Sequence, residues 1–182
     1  MSDMILGGEN TTIIAETACA HEGDTQRLLR FVDAVSDSLA DTIKFHAFTA
    51  DGRAVPGTEY HTTVSNLEIS DEQWAHVIKQ ARENGLNIVA DVFDIKSAKL
   101  MDKLGIDAFK IHAADIQNTP LLEMVAGTET PVILYIGGST LVEITESIRQ
   151  LKRYDCQKIA LMYGLQNYPT SFENSNLGKI SI

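Results

Sequence analysis

Strand-like and helix-like segments alternate along this chain, and that alternation constrains its fold more than any other feature. Six short apolar runs are separated by longer segments in which apolar residues recur at helical spacing. The runs are Thr11–Glu16, Thr42–Phe48, Leu86–Val92, Asp107–Asp115, Pro131–Ile136 and Lys158–Tyr163. Strands separated by helices predict a parallel sheet with helices on its outside. The two candidate architectures are a doubly wound open sheet and a (β/α)8 TIM barrel.

Several helix boundaries are marked by capping residues. Ser70–Gln73 and Thr140–Glu143 have the pattern of capping boxes, and Asp94 stands where a single N-cap is expected. Thr119 is predicted as an N-cap, because Pro120 follows it at the first helical position that proline prefers. These signals support helices between the predicted strands.

Polar residues at the strand ends favour the barrel. No G-x-G-x-x-G motif follows the first strand, so the nucleotide-binding doubly wound fold lacks its fingerprint. Barrel active sites are built from the carboxyl ends of many strands. Polar residues recur at these ends: Glu16, Lys44, His46, Asp91, Asp94, Lys110, His112, Tyr135 and Tyr163. The long polar segment Thr49–Leu67 is predicted to be a lid or binding loop.

The chain is short for a complete barrel. Its 182 residues and six predicted strands compare with roughly 250 residues and eight strands in a typical barrel. We therefore predict one partial domain over residues 1–182, a (β/α)8 TIM-barrel-type parallel sheet truncated after about six βα units. Its first and sixth strands would have open edges that a partner chain could cover, so a homo-oligomer is a possible state.

Two predicted strands carry the pattern lysine, any residue, histidine. In Asp107–Asp115, Lys110 and His112 share one face of the strand, and Lys44 and His46 repeat this arrangement in the second strand. Burying a charged side chain is costly unless the charge is paired. Two strands that both end in this way predict an anion site at the strand ends.

The residue types alone leave several roles open. Lys44 and Lys110 could bind phosphate or carboxylate, or one of them could form a Schiff base. The alternative is an internal salt bridge with Glu16 or Asp115. The two histidines could be acid–base groups or ligands, or ordinary buried histidines with satisfied hydrogen bonds. Glu16 is a candidate general base or hydroxyl acceptor.

Composition narrows the range of partners. A formal net charge of −10 argues against non-specific binding to nucleic acid or to an anionic membrane. The apolar runs are too short to span a bilayer, and the first residues lack the pattern of a signal peptide. Cys19 and Cys156 do not have the spacing of a metal or redox motif. We expect a cytoplasmic protein with reduced, packed cysteines.

Six motifs occur in the order that characterises one enzyme family. The family's motifs are I-I-A-E with N-H-x-G-D, A-V-K-F-Q, S-T-P-F-D, Y-K-I-x-S-x-E with N-x-P-L-L, P-V-I-L-S-T-G and L-L-H-C-x-S-x-Y-P. The matching segments are Ile13–Glu16 with Ala20–Asp24, Thr42–His46, Ala90–Asp94, Phe109–Asp115 with Asn118–Leu122, Pro131–Gly137 and Leu161–Pro169. The chain resembles the N-acetylneuraminate (sialic acid) synthase family over about residues 11–180.

The resemblance implies a TIM barrel that condenses phosphoenolpyruvate with an N-acetylmannosamine-like sugar aldehyde. The reaction forms a 2-keto sugar acid and releases phosphate, which makes the enzyme a carbon–carbon bond-forming transferase. A divalent metal ion, Mn²⁺ or Mg²⁺, is the expected cofactor. By position Glu16 would contact the sugar, while Lys44 and Lys110 would hold phosphoenolpyruvate; these three are the predicted catalytic residues. The predicted substrate-binding residues are His21, His46, Asp91, His112, Asp115, Tyr135, Tyr163, Gln166 and Tyr168.

The chain departs from the family's motifs at several positions. Ala113 and Asp115 replace the serine and the glutamate of the fourth motif. Tyr135 replaces the serine of the fifth motif, and Tyr163 replaces the histidine of the sixth. A phenol can still donate a hydrogen bond, but from farther out than a small hydroxyl. These differences bear on which substrate the site accepts.

The resemblance places the metal-binding histidines on the seventh and eighth strands. We therefore expect the metal ligands to lie beyond residue 182 and none within this chain, and we expect no C-terminal antifreeze-like domain of the family within residues 1–182. The isolated chain is accordingly predicted to be inactive as a synthase. The alternatives are a Schiff-base aldolase that uses Lys44 or Lys110, and a non-catalytic barrel that binds a sugar acid or phosphate.

Overall fold

The sheet is parallel throughout the part of the chain that the structure, a computed structural model, describes: residues 11–167 and 169–181. Its strands are β1 (Ile14–Glu16), β2 (Thr42–Ala47), β3 (Asn87–Val92), β4 (Ala108–Ile111), β5 (Val132–Tyr135) and β6 (Ile159–Met162). Each strand pairs with its neighbour in chain order, from β1 to β6. The predicted parallel sheet is confirmed.

Helices connect the strands and begin at the residues whose side chains cap them. They are α1 (Thr25–Ser36), α2 (Ala50–Arg53), α3 (Glu59–Ser65), α4 (Asp71–Glu83), α5 (Ile95–Lys103), α6 (Thr119–Ala126) and α7 (Leu141–Arg153), with 3₁₀ turns at Ala113–Asp115, Phe172–Asn174 and Leu177–Ser181. Ser70 and Thr140 form the predicted capping boxes of α4 and α7. Each box satisfies backbone N–H groups that a helix start would otherwise leave unpaired.

The strand order decides between the two candidate architectures. In a doubly wound sheet the order reverses at a switch point, and helices cover both faces. Here every crossover moves one strand further in the same direction, and the helices pack on one face. That arrangement is the curled sheet of a TIM-barrel-type fold, as predicted.

The two faces of the sheet bury different residues. Phe45 and Phe109 point outward into the main core, where the ring of Phe45 lies 5.6 Å from the ring of Trp74 on α4. A second, smaller cluster of Val89, Ala108 and Ile133 lies on the inner face. Because side chains alternate along a strand, residues two positions further along β3 and β4 than Val89 and Ala108 also face the barrel interior. The functional side chains lie there.

Two connections differ from their predicted form. The segment Thr49–Leu67 contains α2 and α3 and buries a small apolar cluster of its own around Phe48 and Val64, while its role as a lid or binding segment remains a prediction. Thr119 is the first residue of α6, and the cap is Asn118, whose side chain accepts a hydrogen bond from the backbone of Leu121. Both asparagine and threonine cap helices well, so residue type could not separate the two.

The sheet has its edges at β1 and β6 in the described part of the chain. Ile13 beside β1 is 53% exposed and Leu161 in β6 is 48% exposed, as expected of strands without an outer neighbour. The predicted single domain and homo-oligomer remain predictions. Within residues 11–167 and 169–181, every helix is too short or too polar to cross a lipid bilayer.

Candidate functional site

Five ionisable residues meet on the inner face, at the carboxyl ends of β1 to β4. Strand register brings them together: Glu16 lies beside Lys44, and Asp91 lies between His46 and Lys110. We call Glu16, Lys44, His46, Asp91 and Lys110 the charge cluster. Its position is the one that enzymes with this fold use for their active sites.

Both lysines of the charge cluster are paired with carboxylates. Lys44 Nζ donates to Glu16 Oε2, and Lys110 Nζ donates to Asp91 Oδ2. Asp91 Oδ2 also lies 3.8 Å from Lys44 Nζ. The internal salt bridge considered as an alternative for Lys44 is therefore present with Glu16, whereas the partner of Lys110 is Asp91 and not Asp115.

The charge cluster is buried at its centre and opens on one side. Asp91 is fully buried, and Lys44 and Lys110 are 6% and 4% exposed. The Glu16 side chain is 39% exposed, so the cluster meets solvent there. Removing charges from water is costly, and a site that keeps this many buried charges points to function more than to stability.

Mutual contacts determine the protonation of Glu16 and His46. His46 Nε2 lies 3.5 Å from Glu16 Oε1 and 3.6 Å from Asp91 Oδ2. Burial opposes charge on Glu16, but His46 and Lys44 outweigh it and lower the pKa of Glu16 to about 2. Burial also opposes charge on His46, yet its contacts with Cys19, Glu16 and Asp91 raise the pKa of His46 to about 9. His46 is thus an imidazolium at neutral pH.

Burial has the dominant effect on Lys110. Desolvation lowers the pKa of Lys110, the adjacent Asp91 opposes this, and the nearby positive charge of Lys44 adds to it. A lysine whose pKa is lowered by burial and a neighbouring cation is the type that can act as a nucleophile.

Cys19 and Arg53 extend the site, and sequence analysis did not predict either. The Cys19 sulfur lies 4.0 Å from His46 Nδ1 and accepts from Arg53 Nη1 at 3.6 Å. Contact with His46 lowers the pKa of the Cys19 thiol, burial opposes this, and Arg53 adds to the lowering. The place of Cys19 three residues after Glu16 was the available signal. The position of Arg53 depends on α2, which the sequence did not reveal.

A row of aromatic rings lines the site beside the charge cluster. The Phe93 ring lies 5.9 Å from the His112 ring, which lies 6.0 Å from the Tyr135 ring. Lys110 Nζ lies 5.2 Å from the centre of the Tyr135 ring, in cation–π range. Phe93, the residue directly after β3, was missed as a site residue, because an aromatic residue next to a strand is usually core.

The sequence of this chain matches a known protein family. The model of the NeuB family matches residues 31–182. The chain belongs to the NeuB family. This confirms the resemblance inferred from the six motifs.

Curated relatives and solved structures also match nearly the whole chain. A protein of Methanocaldococcus jannaschii is 34% identical over 99% of this chain and 54% of its own length. The N,N'-diacetyllegionaminic acid synthase of Legionella pneumophila is 30% identical over 91% of this chain and 51% of its own. The N-acetylneuraminic acid synthetase of Leptospira borgpetersenii, solved in complex with citrate, superposes with a TM-score of 0.90 at 28% identity, covering 97% of this chain and 62% of that one. The chain spans about half the length of the curated relatives it matches.

His21, expected as a substrate-binding residue, is buried in the loop after β1. The backbone N–H of Gly23 donates to His21 Nδ1 at 3.0 Å, so Nε2 carries the proton in the neutral ring. Burial and, to a lesser extent, the charge on His46 lower the pKa of His21. The Nε2 atom is buried and has no hydrogen-bond partner among the described residues. A neutral N–H donor is therefore available next to His46 of the charge cluster.

The other predicted substrate-binding residues are not among the five of the charge cluster. His112 follows β4 and accepts from the backbone of Ala114 at 3.3 Å, and burial lowers its pKa. Asp115 accepts from the Asn118 side chain at 2.9 Å, a contact within its own turn. Gln166 is exposed, and Tyr168 lies outside the described residues. Their substrate-binding roles remain predictions.

Tyr135 fits in place of the NeuB motif's serine because its neighbours are glycines. A Cβ atom on Gly164 would lie 2.5 Å from the Tyr135 hydroxyl, and one on Gly137 would lie 2.7 Å from the ring. Gly164 stands where the sixth motif has cysteine. Tyr163 is also nearby, and its hydroxyl is buried without a partner in the described structure. The phenol of Tyr135 is thus accommodated because Gly164, just after β6, has no side chain where the motif has cysteine.

The metal ion expected for the NeuB family has one candidate group among the described residues. Glu16, His46 and Asp91 each offer a ligand atom, and these atoms lie within 4.8 Å of one another. The donor types suit a divalent cation. However, Lys44 and Lys110 already occupy the carboxylates, and metal-bound histidine has to be neutral. As arranged, the group does not suit a metal, and the expectation of ligands beyond residue 182 remains a prediction.

Proposed function

We propose that this chain forms the phosphoenolpyruvate-binding part of a NeuB-type synthase. The reaction joins phosphoenolpyruvate to an N-acetylmannosamine-like aldehyde, forms a carbon–carbon bond and releases phosphate. The observation that carries the proposal is the convergence of Lys44 and Lys110 on Asp91 at the carboxyl ends of neighbouring strands. In an acidic protein, two buried ammonium groups at the mouth of a barrel are suited to binding a small anion.

The named relatives support the substrate class. Sugar-acid synthases are among them, and the solved synthetase carries citrate, a polycarboxylate. Under the proposal, Lys44 and Lys110 orient the carboxylate and phosphate of phosphoenolpyruvate. Glu16, ionised and partly exposed, accepts a hydrogen bond from a sugar hydroxyl. The imidazolium of His46 adds positive charge where the anion enters.

Binding tests this role without requiring turnover. Titration calorimetry should detect phosphoenolpyruvate binding to the chain, and Lys110→Gln should weaken it at least tenfold. Lys79→Gln is the matched control, since Lys79 lies on the surface of α4, paired with Glu83. Equal affinities for wild type and Lys110→Gln would refute the proposed role of Lys110.

We propose further that the isolated chain lacks synthase activity, because it spans about half of its relatives. A divalent cation, when bound, would polarise the aldehyde as a Lewis acid, and its ligands are expected beyond residue 182. Phosphate release from phosphoenolpyruvate with N-acetylmannosamine and Mn²⁺ measures this. Sustained turnover would contradict the proposal. Ligand binding without turnover would also fit the alternative of a non-catalytic barrel that binds a sugar acid or phosphate. Turnover by a longer chain that includes residues 1–182 would exclude that alternative.

A Schiff-base aldolase is the second candidate. The lowered pKa of Lys110, caused chiefly by burial, favours it. Borohydride reduction in the presence of pyruvate should then attach the three-carbon unit to Lys110, as read by peptide mass spectrometry. Labelling that survives in Lys110→Gln, or no labelling in wild type, would exclude this mechanism.

A further inference from the structure

Arg53 is a half-buried cation that has no carboxylate partner among the described residues. Its guanidinium carbon lies 4.5 Å from the centre of the Phe48 ring and 4.6 Å from the centre of the Phe93 ring. Within the described part of the chain, its hydrogen bonding is limited to the contact from Nη1 to the Cys19 sulfur at 3.6 Å. Sulfur is a weak acceptor, and a guanidinium has five N–H donors. Arg53 therefore has donors left for a ligand.

The short helix α2 holds Arg53 in this position. Thr49, which caps α2, donates from its backbone N–H and its hydroxyl to Asp94 Oδ2, at 2.7 and 3.2 Å. Gly52 packs so closely against Asp94 that a Cβ atom there would lie 2.4 Å from the Asp94 side chain. The helix is thus fixed to the residues that follow β3. A cation that is already held in place costs less to order around a ligand.

The surroundings of Arg53 leave the edge of its guanidinium open. Phe48 and Phe93 cover its flat faces, which favours the charge without using N–H donors. Asp51, the acidic residue of α2, lies 2.8 Å from His61 Nε2 and is engaged there. The edge of a guanidinium is the part that forms two parallel hydrogen bonds to a carboxylate or a phosphate.

Arg53 belongs to an outer layer of the site, nearer the barrel mouth than the charge cluster. His46 and Asp91 lie side by side in the sheet, and Phe48 and Phe93 each follow two residues later, about 7 Å further along at strand spacing. Under the proposed function, phosphoenolpyruvate lies at the lysines, and the acceptor approaches it from the mouth with its aldehyde first. The end of the acceptor remote from the aldehyde then lies at the level of Arg53.

We propose that Arg53 binds an anionic group, a phosphate or a carboxylate, at the end of the acceptor sugar remote from its aldehyde. Its planar fork matches the geometry of either group. The preferred acceptor is then a hexose aldehyde that carries a negative charge, and the neutral sugar binds more weakly. This role of Arg53 rests on the proposed function, which places the acceptor above phosphoenolpyruvate, and it adds a specificity-determining residue to that function.

Calorimetric titration of the chain saturated with phosphoenolpyruvate tests this role and requires no turnover. The ligands are N-acetylmannosamine, its 6-phosphate and the corresponding 6-carboxylate. Saturation prevents the charged sugars from binding at the lysines. Wild type should bind at least one charged sugar about tenfold more tightly than the neutral sugar, as expected for hydrogen bonds between charged groups. The tighter of the two charged sugars identifies which anionic group Arg53 recognises.

Two substitutions of Arg53 and one control complete the test. Arg53→Met should abolish the preference for a charged sugar by weakening the binding of that sugar alone. Arg53→Lys, which keeps the charge but loses the planar fork, should retain only part of the preference. Arg149→Met is the matched control, because Arg149 is exposed on α7 and paired with Glu146, and it should leave all affinities unchanged. Thermal unfolding checks that each variant is folded.

The outcomes distinguish the role of Arg53 from the proposed function. Equal affinities of wild type for charged and neutral sugars, or a preference that survives in Arg53→Met, would overturn the role of Arg53 and leave the phosphoenolpyruvate site intact. If Arg53→Met does not fold, a full preference in Arg53→Lys overturns it, and so does failure of both variants to fold.

Failure of wild type to bind phosphoenolpyruvate would refute the proposed function. The same titrations without phosphoenolpyruvate would then test Arg53 on its own. A preference for the charged sugars that is lost in Arg53→Met and kept in Lys110→Gln would support the outer anion site. A preference lost only in Lys110→Gln would assign the charged group to the charge cluster and overturn the role of Arg53.

Discussion

The lysine–any–histidine pattern occurs on β2 and on β4, and the two copies behave differently. On β2, His46 lies within the strand, beside Glu16 and Asp91, and its pKa is raised to about 9. On β4 the strand ends at Ile111, so His112 starts a turn between aromatic rings and its pKa is lowered by burial. Identical residue patterns therefore produce one charged and one neutral histidine, because neighbouring strands decide their surroundings.

The lysines of the two copies also differ, which gives the largest expected effect. Lys110→Met leaves the buried carboxylate of Asp91 without its nearest cation and should lower the free energy of unfolding by about 3–5 kcal/mol. Lys44→Met should cost less, because the Glu16 side chain is 39% exposed and water can solvate it. Urea denaturation monitored by circular dichroism measures both. A larger loss for Lys44→Met would show that burial of the carboxylate partner does not control the difference.

His46 should make stability fall at alkaline pH. Its folded pKa, about 9, lies above the ordinary value of 6.5, so its contribution is complete below about pH 6.5 and is lost as pH rises through about 9. The shift corresponds to about 3 kcal/mol. His46→Gln, which restores the motif glutamine, should flatten the stability profile across this window. An unchanged slope between pH 6.5 and 9 in the variant would contradict the raised pKa.

His112 should make stability fall at acidic pH, in contrast to His46, and this is the smallest of the expected effects. Because its folded pKa is lowered, the unfolded chain binds the proton first, and stability falls as pH drops below the ordinary histidine value. His112→Gln should remove part of this acid sensitivity. Proton NMR titration of the imidazole C–H resonances would assign both values directly. His112 titrating above His46 would invalidate the comparison of the two copies.

The barrel-type fold and the inward position of the lysines were accessible from the sequence. Alternation of strands and helices required a parallel sheet, and period-two patterning placed Lys110 opposite Phe109, as observed. Capping chemistry located α4 and α7. These features depend on near neighbours in the chain, which is why the residues themselves reveal them.

The contacts of the site were less accessible. Pairing of Asp91 with Lys110 joins residues 19 apart, and contact of Cys19 with His46 joins residues 27 apart. The helices within Thr49–Leu67 were missed, and with them the position of Arg53. Such contacts arise from strand register and loop packing, which local patterns do not specify.

By itself the sequence determined a parallel, barrel-type sheet, membership of the NeuB family and two buried lysines at its strand ends. Only the tertiary structure decided that Asp91 lies between both lysines and His46, and that His46 and His112 differ in charge. The physical reason is that propensity and periodicity act over a few residues, whereas pKa values and ion pairing depend on distances of a few ångströms between separate strands.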